Sequence, residues 1–160
     1  MACRIILASQ SPRRKALRRE AGLQFDIIVS DDEEKLVSSD PAVLCEELAI
    51  SKALNASIKA SAHYEGEDLA VIGADTVVSI DGMILGKPSD TENAFDMIKL
   101  LQGKTHTVYT GAAVLKIDSS GMVRRSFSNA AKVTLFDMSD DEIEAYIKGS
   151  FPFPEGSSQW

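Results

Sequence analysis

Leu69-Ala70-Val71-Ile72-Gly73-Ala74-Asp75-Thr76-Val77-Val78-Ser79-Ile80 is an apolar run rich in β-branched residues, and Asp81-Gly82 follows it directly. The run reads as a long buried strand. Asp-Gly is a strong hairpin turn signal, so Met83 to Leu85 is expected to return beside it. One residue in the run is out of place. Asp75 interrupts Val71-Ile72 and Val77-Val78, and a carboxylate in a buried strand must be paired, metal-bound or functional. The plainer alternative is an aspartate at a strand end that caps a neighbouring turn. Gly73, two residues earlier, leaves room for another backbone or a ligand to approach closely.

Working towards the N-terminus, Asp40-Pro41 gives a cap-plus-proline start for a long helix to about Ala62. Leu44, Leu48, Leu54 and Ile58 are expected on one face of it, with Lys52 at the edge of that stripe. Phe25 to Ser30 reads as a strand, followed by the acidic run Asp31-Asp32-Glu33-Glu34. Arg4 to Ala8 reads as another buried strand. Between these two strands, Ser11 and Pro12 open a helix that Gly22 is expected to stop. Its first turn holds Arg13, Arg14 and Lys15 where acidic residues are normally favoured. Solvated cations are the plain reading. A bound polyanion would reverse the local cost, because helix N–H groups, guanidinium forks and the Ser9 and Ser11 hydroxyls would converge on it.

Towards the C-terminus, Lys87 sits in the turn Gly86-Lys87-Pro88. A helix is expected from Asp90 or Thr91 through Ala94, Met97, Ile98 and Leu101 to a stop at Gly103. A long hairpin of Val108 to Ile117 and Met122 to Phe136 turns at Asp118-Ser119-Ser120-Gly121. Ser139-Asp140-Asp141-Glu142 is a capping box for a last helix ending near Gly149. Helices and strands alternate early and hairpins come later, which predicts an α/β domain with a mixed sheet. His63 and His106 read as structural. Cys3 and Cys45 have no metal-ligand spacing and read as buried or inert.

Composition narrows the partners. The 160 residues suit one domain, 44% hydrophobic and 26% charged, with a formal net charge of −7. That balance argues against a broad nucleic-acid or anionic-membrane surface, though not against a small polyanion in a local basic cluster. No apolar run approaches the ~20 residues of a membrane span. With no secretory h-region at the start, a cytoplasmic location is the expectation.

In order along the chain, these segments resemble the Maf family: Leu7-Ala8-Ser9-Gln10-Ser11-Pro12-Arg13-Arg14, Glu33-Glu34, Leu48-Ala49-Ile50-Ser51-Lys52-Ala53, Ile72-Gly73-Ala74-Asp75-Thr76-Val77-Val78, Leu85-Gly86-Lys87-Pro88, and the stretch from Leu101 to Gly111. The resemblance runs from the start to about Lys148. It extends to the amino-terminal domain of vertebrate acetylserotonin methyltransferase-like proteins. It implies a mixed, elongated sheet between helices, with two lobes around a nucleotide cleft, as in inosine triphosphatases. It implies hydrolysis of a nucleoside triphosphate to the monophosphate and pyrophosphate, aided by a divalent cation, Mg²⁺ or Mn²⁺. Ala74-Asp75-Thr76 and Gly86-Lys87-Pro88 look like the branch acting on dTTP and UTP. By position, Asp75 matches the proton acceptor, and Arg13 and Thr76 match residues tied to substrate choice. Ser9, Arg14, Glu34, Lys52 and Lys87 match pocket positions, with Glu34 and Asp75 as candidate metal ligands. The family often forms dimers.

The family's usual sequence after the last helix includes Ser-Gly-Glu-Pro, Asp-Lys-Ala-Gly and Tyr-Gly-Ile-Gln. Here residues 149–160 form an irregular, proline-containing tail instead. The expectation is a domain over residues 1–148 that is shortened at its C-terminal end, by truncation or alternative splicing. A sheet edge would then be left open. A weakly active, nucleotide-binding or regulatory protein is the alternative to a working hydrolase.

Overall fold

A computed structural model describes residues 3–9, 11, 14, 16, 19–29 and 38–150. The element order is β1 (Arg4–Leu7), β2 (Asp26–Ile27), α1 (Pro41–His63), β3 (Leu69–Ile80), β4 (Met83–Leu85), α2 (Thr91–Leu101), β5 (Thr105–Asp118), β6 (Gly121–Thr134) and α3 (Asp140–Ser150). Arg14, Ala16, Arg19 and Glu20 are helical as well, and Gly22 follows with φ +70°, the left-handed stop expected there.

The strands form one six-stranded sheet in the order β2-β1-β3-β5-β6, with β4 also paired to β3. β1 runs parallel to β2 and β3, while the β3–β4, β3–β5 and β5–β6 pairs are antiparallel. The sheet is therefore mixed, as the alternation of elements predicts. Two of its strands differ from expectation in length. The second strand is Asp26–Ile27, short of the expected Phe25 to Val29, although Ile28 N still donates to Leu7 O at 3.3 Å; Ser30, its expected end, lies outside the described residues. The outer hairpin is longer at its open end, because Thr105 pairs with Thr134. Phe136 lies outside it and is exposed.

Side chains alternate between the two faces of β3, and different helices cover the two faces. Leu69 and Val71 pack with Ala49, Ala53, Ala56 and Ala60 of α1, and Val77 packs with Leu44 and Leu48. Val78 and Ile80 pack instead with Leu101 of α2 and with Val108. α2 then joins α3 through Ala94, Ile98, Ile143 and Ile147. Thus α1 covers one face, while α2 meets the opposite face through Leu101 at the far end of the long strands, and α3 packs on α2.

The buried stripe of α1 holds Leu44 and Leu48 as expected, with Leu54 half-buried beside it, but it differs in the rest. Ile58 is 71% exposed, and the stripe consists largely of small residues: Cys45, Ala49, Ala53, Ala56, Ser57 and Ala60. Close approach explains the choice. A Cβ on Gly73 would collide with Ala49 O and Ala53 N, and one on Gly111 would collide with Cys45 O. The helix backbone lies directly on the sheet, where only glycine below and small residues above leave space. Its N-terminus is capped by Asp40, whose Oδ1 accepts from Ala42 N at 2.8 Å and Val43 N at 3.1 Å. Its far end is tied down by Tyr64, which donates to Asp26 Oδ2 at 3.0 Å and lies under the Arg4 guanidinium.

Cys45 is buried and Cys3 exposed. Burial pushes the Cys45 thiol up to about 11, so it stays protonated and unreactive near neutral pH. Among the described residues, no helix is long and apolar enough to cross a membrane.

Candidate active site

β1 pairs with β3 over Leu69 to Ile72, and β4 pairs with the same side of β3 over Val78 to Ile80. Between these two pairings the edge of β3 forms a notch. Ala8 N closes its upper rim by donating to Ile72 O at 2.9 Å. The next edge carbonyl, Ala74 O, accepts from Arg14 Nη1 at 2.7 Å. The same guanidinium reaches Ser9 Oγ at 3.4 Å and, through Nη2, Thr76 Oγ1 at 3.4 Å. The edge N–H of Thr76 donates to Asp75 Oδ1 at 2.7 Å. Polar groups that a neighbouring strand would ordinarily satisfy are thus satisfied by side chains.

Asp75 is 2% exposed. Its other oxygen, Oδ2, accepts from Lys52 Nζ at 2.8 Å. Lys52 reaches it because α1 lies so close to the sheet, and Gly111 sits directly opposite Asp75 in the β3–β5 register. A buried carboxylate is costly without a counter-charge, and this ammonium supplies one while fixing the carboxylate's orientation. Ser9 and Ser11 are also buried, and Ser11 N donates to Ser9 Oγ at 3.2 Å. Lys52 therefore binds the carboxylate itself, while Arg14 binds the residues on either side of it, Ala74 and Thr76, at a break in the sheet edge.

The structure brings together Ser9, Arg14, Lys52, Asp75 and Thr76 from the expected set. Lys87 lies exposed on the loop from β4 to α2, next along the edge from the notch. Arg13 and Glu34 lie outside the described residues. Thr110 joins the group unforeseen, its Oγ1 3.4 Å from Thr76 Oγ1. Its sequence signal was its place beside Gly111, but only the strand register shows that it neighbours Thr76.

A divalent cation fits this donor set in one way. Among the described residues, no cluster of three or more His, Cys, Asp or Glu could hold a metal unaided. Asp75 offers a single carboxylate whose oxygens already accept from Lys52 and Thr76 N. Mg²⁺ commonly binds through one or two carboxylates together with substrate phosphates. Asp75 is the candidate metal ligand among the described residues, and it would need further oxygen donors beside it.

Comparison with known proteins gives the same chain-wide picture as the motifs. The family described as Maf-like protein matches residues 4–155. A dTTP/UTP pyrophosphatase of Bacillus thuringiensis subsp. konkukian is 40% identical over 156 residues, which are 97% of this chain and 76% of that protein. A dTTP/UTP pyrophosphatase of Bacillus cereus (strain ZK / E33L) is 41% identical over the same shares. A solved dITP/XTP pyrophosphatase of Mycobacterium abscessus aligns at a TM-score of 0.41 and 13% identity, covering 82% of this chain and 72% of that one. The family match and these identities carry the assignment: the chain belongs to the Maf family.

Proposed function

We propose that this protein hydrolyses pyrimidine nucleoside triphosphates, dTTP and UTP foremost, to the monophosphate and pyrophosphate. The observation that carries the reading is the buried Asp75 carboxylate, held by Lys52 at a sheet notch beside Arg14. The identity to enzymes named dTTP/UTP pyrophosphatase supports the choice of substrate.

In this reading Asp75 orients a water and accepts its proton as the water oxygen attacks the α-phosphorus. The bond from the α-phosphorus to the α,β-bridging oxygen breaks, and pyrophosphate leaves with that electron pair. Arg14, Lys52 and Lys87, with Arg13 next to Arg14 in sequence, neutralise the charge that builds on the departing oxygens. Ser9 and Thr76 position the phosphate chain. Asp75 and Glu34 are the residues that would hold a Mg²⁺ or Mn²⁺ ion, which when bound offsets phosphate charge and acidifies a bound water. A hydrolytically impaired nucleotide binder is the less favoured reading, because the carboxylate and its ammonium partner are both in place. We also place the enzyme in the cytoplasm, without nucleic-acid partners, given the acidic balance. A homodimer is the assembly the family habit suggests.

A panel of nucleoside triphosphates with Mg²⁺ or Mn²⁺, followed by chromatography of the products, tests the proposal. The expected result is fastest loss of dTTP and UTP, with monophosphate and pyrophosphate in equal amounts. Release of orthophosphate and a diphosphate, or no turnover of any nucleotide, would overturn it.

A further inference from the structure

The sheet face away from α1 carries a cavity of about 250 Å³. Its floor is Val78 of β3, Val108 of β5 and Val133 of β6. Ile98 and Leu101 of α2 line it from the other side, and Tyr146 of α3, 51% exposed, gives it a rim open to solvent. Asp75 bonds Lys52 of α1, whereas Val78 packs with Leu101 of α2. The cavity and the carboxylate therefore lie on opposite faces of β3, and none of Ser9, Arg14, Lys52, Asp75 and Thr76 lines the cavity.

His106 is the exception in this apolar lining. It stands opposite Val133 in the β5–β6 register, and directly opposed residues share a face. Its imidazole therefore projects from the sheet into the layer that holds the cavity, where it is 5% exposed. Its Nδ1 has no hydrogen-bond partner among the described residues. A buried polar atom left unpaired is costly, and native proteins nearly always pair it. Burial holds the ring's pKa below the ordinary value, so near neutral pH it offers one N–H and one lone pair. Among the described residues, no charged side chain lines the cavity. Its size also restricts the occupant. An apolar cavity of ~150 Å³ holds a benzene ring, and pockets for drug-sized molecules begin at ~300 Å³. One ring, or a fused pair, fits here.

We propose that this cavity binds a small neutral aromatic molecule bearing one hydroxyl or ring N–H, with its ring among the aliphatic side chains and its polar group hydrogen-bonded to His106. The apolar walls select the ring. The lack of a charged partner rejects ionised ligands, whose desolvation would go uncompensated. The imidazole selects the hydroxyl or N–H. The site is independent of the nucleotide reading above, because it shares no residue with the group around Asp75.

Phenol, toluene and benzoate are the probes, titrated into the full chain and into its His106→Leu and Val133→Trp variants. Ligand-observed NMR reads binding, and the urea midpoint reads whether each variant is folded. Phenol and toluene share a shape, but only phenol can bond the imidazole. His106→Leu removes the polar group at similar volume, and Val133→Trp fills the cavity. Phenol and toluene should both bind the unaltered chain saturably, with Kd below about 1 mM, and benzoate should displace neither. His106→Leu should weaken phenol about fivefold relative to toluene, and Val133→Trp should weaken both. One readout needs no variant: the chain has two histidines, and the ring nitrogen signals of His106 should move with phenol and less with toluene. Absence of saturable phenol binding would overturn the proposal. So would an unchanged ratio of phenol to toluene affinity in His106→Leu, His106 signals indifferent to phenol, or displacement by benzoate. Phenol affinity that falls as the protein concentration rises would assign the cavity to a contact between copies and overturn the proposal as well.

Discussion

Asp75 and Lys52 are a pair in which each residue explains the other. With Asp75 only 2% exposed, removing Lys52 leaves a buried carboxylate without its counter-charge. Lys52→Met is expected to destabilise the fold by about 3 kcal/mol, read as a lower urea midpoint. Adding Asp75→Asn to Lys52→Met should recover part of that loss, since the uncompensated charge is then gone. A double variant no more stable than Lys52→Met would contradict this account. The sequence made Asp75 conspicuous because a carboxylate stood among β-branched residues. It did not reveal the partner, because Lys52 alone looks like any lysine at the edge of a helix stripe. Thr110 was less legible still, since its neighbour in space is far away in sequence. Arg13 and Glu34 carry expectations from sequence that the described residues do not reach.

At the level of elements, α1 and the two glycines beneath it set the position of Lys52. A methyl group at Gly111 would meet Cys45 O, and the helix would have to lift from the sheet. Gly111→Ala is expected to cost about 3 kcal/mol in stability, by overpacking. It should also lower kcat/KM at temperatures where the protein is still folded, because Lys52 moves with the helix. Urea titration and steady-state kinetics check the two halves separately, and full activity would contradict the positioning argument. The limits of α1, of β3 and of the Asp81-Gly82 turn were legible in the sequence through caps, glycines and β-branched runs. Asp81 and Gly82 indeed take positive φ, at 50° and 79°. The buried face of α1 was legible only in part, since Leu44 and Leu48 are buried but Ile58 is not. Leucine spacing suggested one stripe, but the contact distance to Gly73 and Gly111 selected alanines, and that distance is a tertiary quantity. The second strand was overread for a related reason, because apolar residues near a sheet edge need not extend its ladder.

Across the whole molecule the long β3–β5–β6 strands carry different helices on opposite faces, and the site opens where the edge pairing changes from β1 to β4. At the far end, His106 lies in an apolar cavity of about 250 Å³ lined by Val78, Leu101, Val108 and Val133 among others, none of them charged. Its Nδ1 has no hydrogen-bond partner among the described residues, and burial holds its pKa below the ordinary value. The unfolded chain therefore takes up this proton first. Stability should fall as the pH drops below about 6.5 and stop falling once the folded imidazole also protonates. The carboxylates held low by hydrogen bonds and ion pairs, among them Asp26, Asp90 and Glu142, lose their contribution only below about pH 4. Between pH 7.5 and 5.5 the urea midpoint should thus fall more for the unaltered protein than for His106→Leu, and equal falls would contradict the assignment. The mixed α/β architecture was legible from element order, whereas the notch was not, because it depends on which strands pair over which residues. The central claim is that the carboxylate at this notch performs the chemistry. Its most direct test is pyrophosphate release from UTP by Asp75→Asn, measured beside the binding of α,β-methylene-UTP to the same protein. The expected result is turnover reduced at least a hundredfold with analogue binding kept within a few-fold. Turnover within a few-fold of the unaltered enzyme would contradict the account.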